Sequence, residues 1–313
     1  MIIYILRRLL WLPILLLAVS LTTFALGLYG PGDPVQVLLG QHTNPEVVAR
    51  IRHERGLDRP FLVQYADYVW KDLHGDFGES YKYRGQPIGR LIGKRILVTI
   101  QLNFVSLMLA VAIGVPLGVA AALRQNALLD RLVILFTVGA ISAPTFVVAP
   151  ILMWFFARQL RILPAGGWEG IFSRSIIMPV IVLSLGPIAV LTRQTRASML
   201  EVIRQDYIRT ARAKGLTEWM VVIGHALRNA LIPISTIVGL MLADLVGGAF
   251  ITETIFGIPG IGSLGVEALF ARDYPLIMAL TLIVAVAYIL ANLLVDIGYT
   301  FLDPRIRYSR SVD

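Results

Sequence analysis

The sequence predicts an all-α membrane protein built on six transmembrane helices. Of its 313 residues, 57% are hydrophobic and only 15% charged, and the mean hydropathy is +0.74, above the roughly half-apolar usage of a soluble domain. Six apolar runs are each long enough to cross a bilayer, whose hydrocarbon core takes about 20 helical residues. Lysine and arginine collect in alternate connections, as the positive-inside rule requires of a multi-span chain. The net charge of +8 therefore reads as basic loops facing anionic lipid rather than as a nucleic-acid surface. With no cysteine in the chain, disulfides and thiolate metal or redox sites are excluded.

The first run, Leu9 to Tyr29, follows Arg7 and Arg8 and imitates a secretory signal. At about 20 residues it exceeds the roughly 7–15 of a signal core, so it is read as a retained span. Further runs lie at about Leu97 to Leu123, Leu132 to Ala157, Ile176 to Thr192, Ala230 to Ile251 and Pro275 to Leu302. Residues 1–30 thus hold the first span, 31–95 an extracytoplasmic segment, and 96–313 a five-helix core. With six spans, Arg7 and Arg8, the turn with Arg124 and Arg131, the stretch from Arg193 to Arg228, and the tail with Arg305, Arg307 and Arg310 share one side. That side is cytoplasmic, and both termini lie on it.

The outer segment, Pro31 to Arg95, carries eight of the 20 acidic residues and ten of the 28 basic ones. Its length exempts it from the charge rule. Within it, Pro45 to Gly56 reads as one helix and Pro60 to Leu73 as a second, stopped by Gly75. About 65 residues make a cap packed on the membrane domain more readily than an independent domain.

Several motifs fail on context. GIGSLG, Gly260 to Gly265, matches the dinucleotide pattern, but it sits in a short outer loop between two spans, without the strand that the fingerprint requires, and reads as a flexible or re-entrant turn. GRLIGKR, Gly89 to Arg95, is one residue short of a phosphate loop between its glycines and lacks the following Ser or Thr. The chain is therefore not expected to bind ATP itself. His42, His53, His74 and His225 show no metal-ligand spacing, and no nucleophile elbow is present, so neither a metal nor a catalytic role is expected.

Near or within the spans, the acids and bases are few: Arg193, Asp244, Glu253 and Asp296. Asp244, in GLMLADLVGGAF, is the deepest, and an intramembrane charge is expensive unless it faces a polar cavity or a partner. It either lines a solute path or pairs with another helix or a backbone donor; Asp296 reads as structural. GVPLG, Gly114 to Gly118, spaces two glycines for close helix contact, with Pro116 as a kink.

Between the fourth and fifth spans runs RTARAKGLTEWMVVIGHALRNALIP, Arg209 to Pro233. Asp206 is expected to cap a helix from Tyr207 to Lys214, with Arg209, Arg212 and Lys214 toward the negative end of its dipole. Gly215 is expected to end it in the left-handed conformation, and Thr217 with Glu218 to open the next helix. Two turns are too short to be stable alone, so the helix needs a partner surface. Tyr207, Ala211 and Lys214 fall on one face, and Ala211, Ala213 and Gly215 are small enough to seat another backbone. The alternative is an ordinary basic cytoplasmic loop.

YIRTARAKGL followed by HALRNALIP resembles the cytoplasmic EAA loop of ABC importer permeases, especially the oligopeptide and dipeptide family. Arg209, Thr210 and Ala211 stand at the Glu-Ala-Ala positions and Gly215 at the glycine; the glutamate is absent, and the spacing to Pro233 is the longer one of the peptide branch. Other blocks in order are similar to the first, B-type permease of that family: ILRRLLWLPILLLAVSLTTFAL, PGDPVQVLLG, RGLDRPFLVQYADYVWKDLHGDFGES, APTFVVAPILM, ETIFGIPGIG, RDYPLI and NLLVDIGYTFLDPRIR. The resemblance implies the six-span type I importer membrane domain in the cell's inner membrane. It implies that a coupling loop at about 198–228, with Tyr207, Arg209, Thr210, Ala211, Arg212, Ala213, Lys214 and Gly215, docks on an ATPase subunit. Implied partners are a homologous second permease, two subunits that bind ATP and Mg, and an extracytoplasmic solute-binding protein. The implied substrates are di- or oligopeptides, with nickel chelates, glutathione or sugars as alternatives. A secondary transporter or channel would share the hydropathy but need no ATPase.

Overall fold

The computed structural model describes residues 2–29, 44–54 and 56–302. The block PGDPVQVLLG, His42 and the basic tail with Arg305, Arg307 and Arg310 lie outside the described residues, as do the side chains of Arg7, Arg8 and Asp296. Helices follow in the order α1 (Ile2–Tyr29), α2 (Pro45–Glu54), α3 (Phe61–Leu73), α4 (Ile88–Leu123), α5 (Leu128–Ser142) and α6 (Thr145–Leu152). After them come α7 (Ile177–Ile203), α8 (Asp206–Ala213), α9 (Glu218–Met220), α10 (Arg228–Ala243), α11 (Phe250–Phe256), α12 (Ile261–Ala271) and α13 (Tyr274–Leu302). Among the described residues, β pairing is confined to an isolated bridge between Glu79 and Pro87.

Among the described residues, five stretches are long and apolar enough to cross a membrane: Leu10–Tyr29, Ile88–Leu123, Arg174–Ile203, Glu218–Val246 and Tyr274–Val295. Two broken pairs raise the number to as many as seven. The run expected at Leu132 to Ala157 is one of these, bent by 102° between Leu128–Ser142 and Thr145–Gln159. The bend falls at Pro144, whose preceding residue Ala143 is extended, as the steric clash with a proline ring demands. The second pair is α11 and α12. Here the stretch expected as a flexible or re-entrant turn is two short helices bent by 88° at the break between them, and GIGSLG forms the first turn of α12 behind Gly260, with no strand before it. GRLIGKR likewise lies inside the first turns of α4 rather than in a phosphate-binding loop.

The chain divides into two compact units. One comprises Met1–Thr99, Val246–Phe250 and Pro259–Leu290; the other comprises Ile100–Leu245, Ile251–Ile258 and Ala291–Asp313. In the first unit, α3 lies along α1. Phe24 is buried with its ring 5.2–5.6 Å from those of Phe61, Tyr65 and Tyr68, and the Ser20 and Tyr65 hydroxyls are 2.8 Å apart. Aromatic side chains are thus what the segment between α1 and α4 uses to hold itself to α1. The same unit has an apolar core in which Ile88 and Ile92 of α4 pack with Leu264 and Ala268 of α12 and Leu276 of α13.

Polar groups fix the segment after α3 to that core. Asp273 is fully buried and accepts from the Ser80 hydroxyl at 2.5 Å, the Lys82 amide at 3.1 Å and the Leu276 amide at 3.3 Å. The last of these caps α13, since an Asp before a helix takes an otherwise orphaned first-turn amide. Glu267 receives the Tyr83 hydroxyl, the Lys82 ammonium at 2.9 Å and Arg95 at 3.6 Å. The hydrogen bond to Glu267 holds the Lys82 pKa above its ordinary value.

The second unit is centred on α4, α7 and α10. Ala110, Ile188, Leu191 and Ile234 form its buried cluster. Gly114 and Gly118 sit against α7 as the spacing of GVPLG predicts. A Cβ at Gly118 would stand 2.6 Å from both the Thr192 carbonyl and the Thr195 Cβ, and one at Gly114 would stand 3.0 Å from the Ile188 carbonyl. Backbone carbonyls cannot withdraw from such a clash without moving the helix. A buried salt bridge ties the start of α5 to α7: Arg196 bonds Asp130 through Nε at 2.5 Å and Nη2 at 2.8 Å, and the Asn126 amide adds a third bond at 2.9 Å. Removing Arg196 costs about 3–5 kcal/mol, because the Asp130 carboxylate stays buried without its charge partner.

Two predictions follow from this packing. Gly118→Ala lowers the stability of the solubilised protein by about 1–3 kcal/mol, the usual cost of overpacking. Gly139→Ala, where a Cβ meets nothing within 4 Å, does not, and thermal melts in detergent compare the two. The second prediction concerns Asp72 on α3, where the Tyr68 hydroxyl and one Asp72 oxygen are buried without a hydrogen-bond partner among the described residues. Burial, reinforced by Asp76, pushes Asp72 up to about 6 from 3.8. A carboxyl raised in the fold binds more protons there than in the unfolded chain, so its effect on stability is most favourable below about pH 4 and worsens as pH rises to about 6. Hydrogen-exchange protection in α3, corrected for the intrinsic pH dependence of amide exchange, therefore falls across that window, and Asp72→Asn removes the fall.

Candidate functional site

Helix α8 is an eight-residue amphipathic helix following the end of α7. Helix α7 extends past the apolar run that predicts it, through Ile203, so the basic stretch from Arg193 onward begins as helix rather than loop. Ile208 is fully buried and Ala211 nearly so, in a cluster with Met199 of α7, Val221, Val222 and Ala226 of the segment after α9, and Ala230 of α10. Burying Ile208 alone is worth about 1.5–3 kcal/mol, which supplies the stability that two turns lack by themselves. One expectation is corrected here. Ala211 does not share an outward face with Tyr207 and Lys214; it packs inward against the chain's own helices, because the apolar side of α8 is set by Ile208 and Ala211, three residues apart.

The outward side holds the rest of the expected set. Tyr207, Arg209, Thr210, Arg212, Ala213, Lys214 and Gly215 are all exposed. Among them Ala213 and Gly215 are the small residues on the exposed surface, with Arg209 and Lys214 supplying positive charge around them. Asp206 is also corrected. Gln205 precedes the helix with extended backbone, Asp206 is its first residue, and no side chain caps it. The Asp206 carboxylate still lies near the positive end of the dipole, 3.7 Å from Arg209.

Gly215 ends α8 with φ +78°, and its amide donates to the Arg212 carbonyl at 2.9 Å. Any other residue there would strain the left-handed backbone. Arg212 then reaches across the break to bond Glu218 at 3.1 and 2.6 Å, and Asn229 donates to the Tyr207 hydroxyl at 3.0 Å. The break at Gly215 is thus a fixed corner. Beyond it, Thr217 leads into α9 without a side-chain cap, and residues Val221–Leu227 are wound as a π-helix before α10. Leu216, Trp219 and Met220 are exposed on this approach.

Asp244 stands apart from α8, at the end of α10 in a short 3-10 turn, Asp244–Val246. Its side chain is exposed and has no hydrogen-bond or ion-pair partner among the described residues. Asn103 of α4 fixes the turn by donating to the Leu245 carbonyl at 2.8 Å. Of the other acids and bases noted near the spans, Glu253 is fully buried in α11 and Arg193 is exposed on α7.

The buried Asp130–Arg196 pair and the Asp273 and Glu267 anchors were not legible as sites. Asp130 and Arg196 are 66 residues apart with no local pattern joining them. Asp273 carried a signal, an acid just before a helix whose second residue is proline, but Ser80, its partner, lies 193 residues away. His53 is bonded to Asp58 at 2.6 Å and His74 to the Trp70 carbonyl at 2.8 Å. No group of three or more potential metal ligands occurs among the described residues.

Comparison with known proteins bears on the whole chain. Residues 114–308 match the family described as binding-protein-dependent transport system inner membrane component, and residues 1–86 match the N-terminal part of such membrane components. The probable peptide ABC transporter permease protein y4tP of Sinorhizobium fredii is 41% identical over 98% of this chain and 99% of its own. The dipeptide transport system permease protein DppB of Alkalihalophilus pseudofirmus is 40% identical over 98% and 100%. The oligopeptide transport system permease protein OppB of Salmonella typhimurium is 41% identical over 97% and 99%. Among solved structures, a chain of the inward-facing MetNI methionine ABC transporter superposes with a TM-score of 0.58 at 20% identity, covering 68% of this chain and 96% of that one, which shows a shared fold. The chain is a multi-pass membrane protein with the type I importer permease fold, and it belongs to the family of binding-protein-dependent transport system inner membrane components.

Proposed function

We propose that this chain is one of two permease subunits of an ATP-driven importer of di- or oligopeptides, and that α8 is its coupling helix. The observation that carries the reading is the division of α8 into two faces. Ile208 and Ala211 lock it to α7 and α10, while Tyr207, Arg209, Thr210, Ala213 and Lys214 are presented outward on a short rigid helix. A helix held from behind transmits a push from a partner to the spans it is packed on, as rigid-body switching between inward-facing and outward-facing states requires. The partner is an ATPase subunit carrying ATP and Mg, and hydrolysis belongs to it. The relatives named for peptide transport support the substrate class.

Six spans result if α5 and α6 are one broken span and α11 and α12 a re-entrant pair. Both termini and α8 then face the cytoplasm, by the distribution of Lys and Arg. The segment before α4, anchored by Ser80 and Lys82, faces outward to a solute-binding protein. Asp244, exposed and unpaired among the described residues, serves the solute path, where a cationic group of the peptide would meet it.

Ala213→Trp and Lys214→Glu leave membrane insertion intact but reduce co-purification of the ATPase subunits and stimulated ATP hydrolysis at least tenfold. Ala211→Asp acts differently: it buries a charge behind α8 and lowers stability before it affects docking. Full stimulated ATPase activity and uptake in both outward-face variants would remove the coupling assignment. Asp244→Asn assembles normally and loses most uptake of peptide; unimpaired uptake would leave Asp244 no role in the path.

A further inference from the structure

A groove of about 580 Å³ opens between the last turns of α4 and the first half of α5, lined by Leu117, Leu128, Leu129, Leu132, Val133 and Phe136, with Arg124 at its mouth. The walls are apolar. Leu128 and Leu132 are 72% and 55% exposed, and from Leu128 to Phe136 the groove follows α5 for about 12 Å at the rise of an α-helix. In a chain that crosses the membrane, an open apolar slot between spans is filled by hydrocarbon, since neither water nor a void satisfies it.

The charge at its mouth selects among hydrocarbons. Arg124 and Arg131 are exposed, and neither side chain has a hydrogen-bond or ion-pair partner among the described residues. The carboxylate between them in sequence, Asp130, is buried and taken up by Arg196 and the Asn126 amide, so it does not compensate them. Arg204, at the end of α7, bonds Gln125, the residue after Arg124, at 3.3 Å, which adds a cation at the turn that carries Arg124. A second groove of about 580 Å³, lined by Val19, Phe250, Val266, Leu280 and Val284 among others, has no charged side chain in its wall, and nothing there distinguishes one lipid from another.

We infer that the groove between α4 and α5 is a binding site for an anionic glycerophospholipid, with an acyl chain along Leu128 to Phe136 and the phosphate at Arg124. The site lies at the end of the membrane domain that leads through Arg204 to α8. Bound lipid would therefore buttress the turn on which α5, α7 and the coupling helix converge.

The test uses the assembled transporter in vesicles of mixed phosphatidylglycerol and phosphatidylcholine, with a photoreactive side chain at Leu128. The expected adduct is lipid, with phosphatidylglycerol enriched over the bilayer composition by about fivefold, the factor that corresponds to about 1 kcal/mol for one arginine near an anionic surface. Arg124→Ala brings the ratio to that of the bilayer, and Arg124→Lys retains it. An adduct to protein, whether another subunit or this chain's own tail, overturns the inference, as does an enrichment that is absent in the parent or unchanged in Arg124→Ala.

Discussion

Ile208 and Ala211 packing into the pocket formed by Met199, Val221, Val222 and Ala226 is the contact on which the functional reading depends. A helix of two turns has no stability of its own in water. Once its apolar side is buried, orientation follows without further contacts. The remaining side chains point away from the membrane helices, and the corner at Gly215 returns the chain to α10 at a fixed angle. Arg212 with Glu218 and Asn229 with Tyr207 then close the corner from both sides. The result is a basic face with a small centre at Ala213, joined rigidly to two long helices.

Those two helices are held as firmly. Gly118 brings α4 within contact of the Thr192 carbonyl, and Asp130 with Arg196 pins α5 to α7. If α8 is the coupling helix, its displacement passes to α7 and α10, and α4 and α5 move with α7. The segment between α1 and α4 is governed by different chemistry. Aromatic contacts from Phe24 and hydroxyl bonds at Ser20 hold α3 to α1, while Ser80, Lys82 and Tyr83 bind the buried acid Asp273 and the half-exposed Glu267. Hydrogen bonds to buried carboxylates give a defined geometry where the segment has too small a core to fold alone.

Much of this was legible from local pattern. Span positions follow from apolar length, the two outer helices from their prolines and glycines, the left-handed Gly215 from its place after a basic helix, and the tight α4 contact from GVPLG. What was not legible depends on contacts distant in sequence. Nothing near Asp130 names Arg196, and nothing in α8 alone decides whether Ala211 or Ala213 faces inward; Ile208 decides it, through residues of α7 and α10. The bend at Pro144 shows the limit of hydropathy, which counts apolar length and not direction. The helices α11 and α12 show what a glycine-rich pattern does not specify: it marks the turn at Gly257 to Gly260 but not the helices on either side of it.

Since the chain has no cysteine, a single cysteine introduced on α8 reports one position without background. The most direct measurement is disulfide or short-linker cross-linking from Ala213→Cys and from Thr210→Cys to the ATPase subunits of the assembled transporter. The account predicts ready cross-linking from both positions and none from a cysteine at Ile208, which faces α7. Cross-linking from Ile208→Cys with none from Ala213→Cys would contradict it.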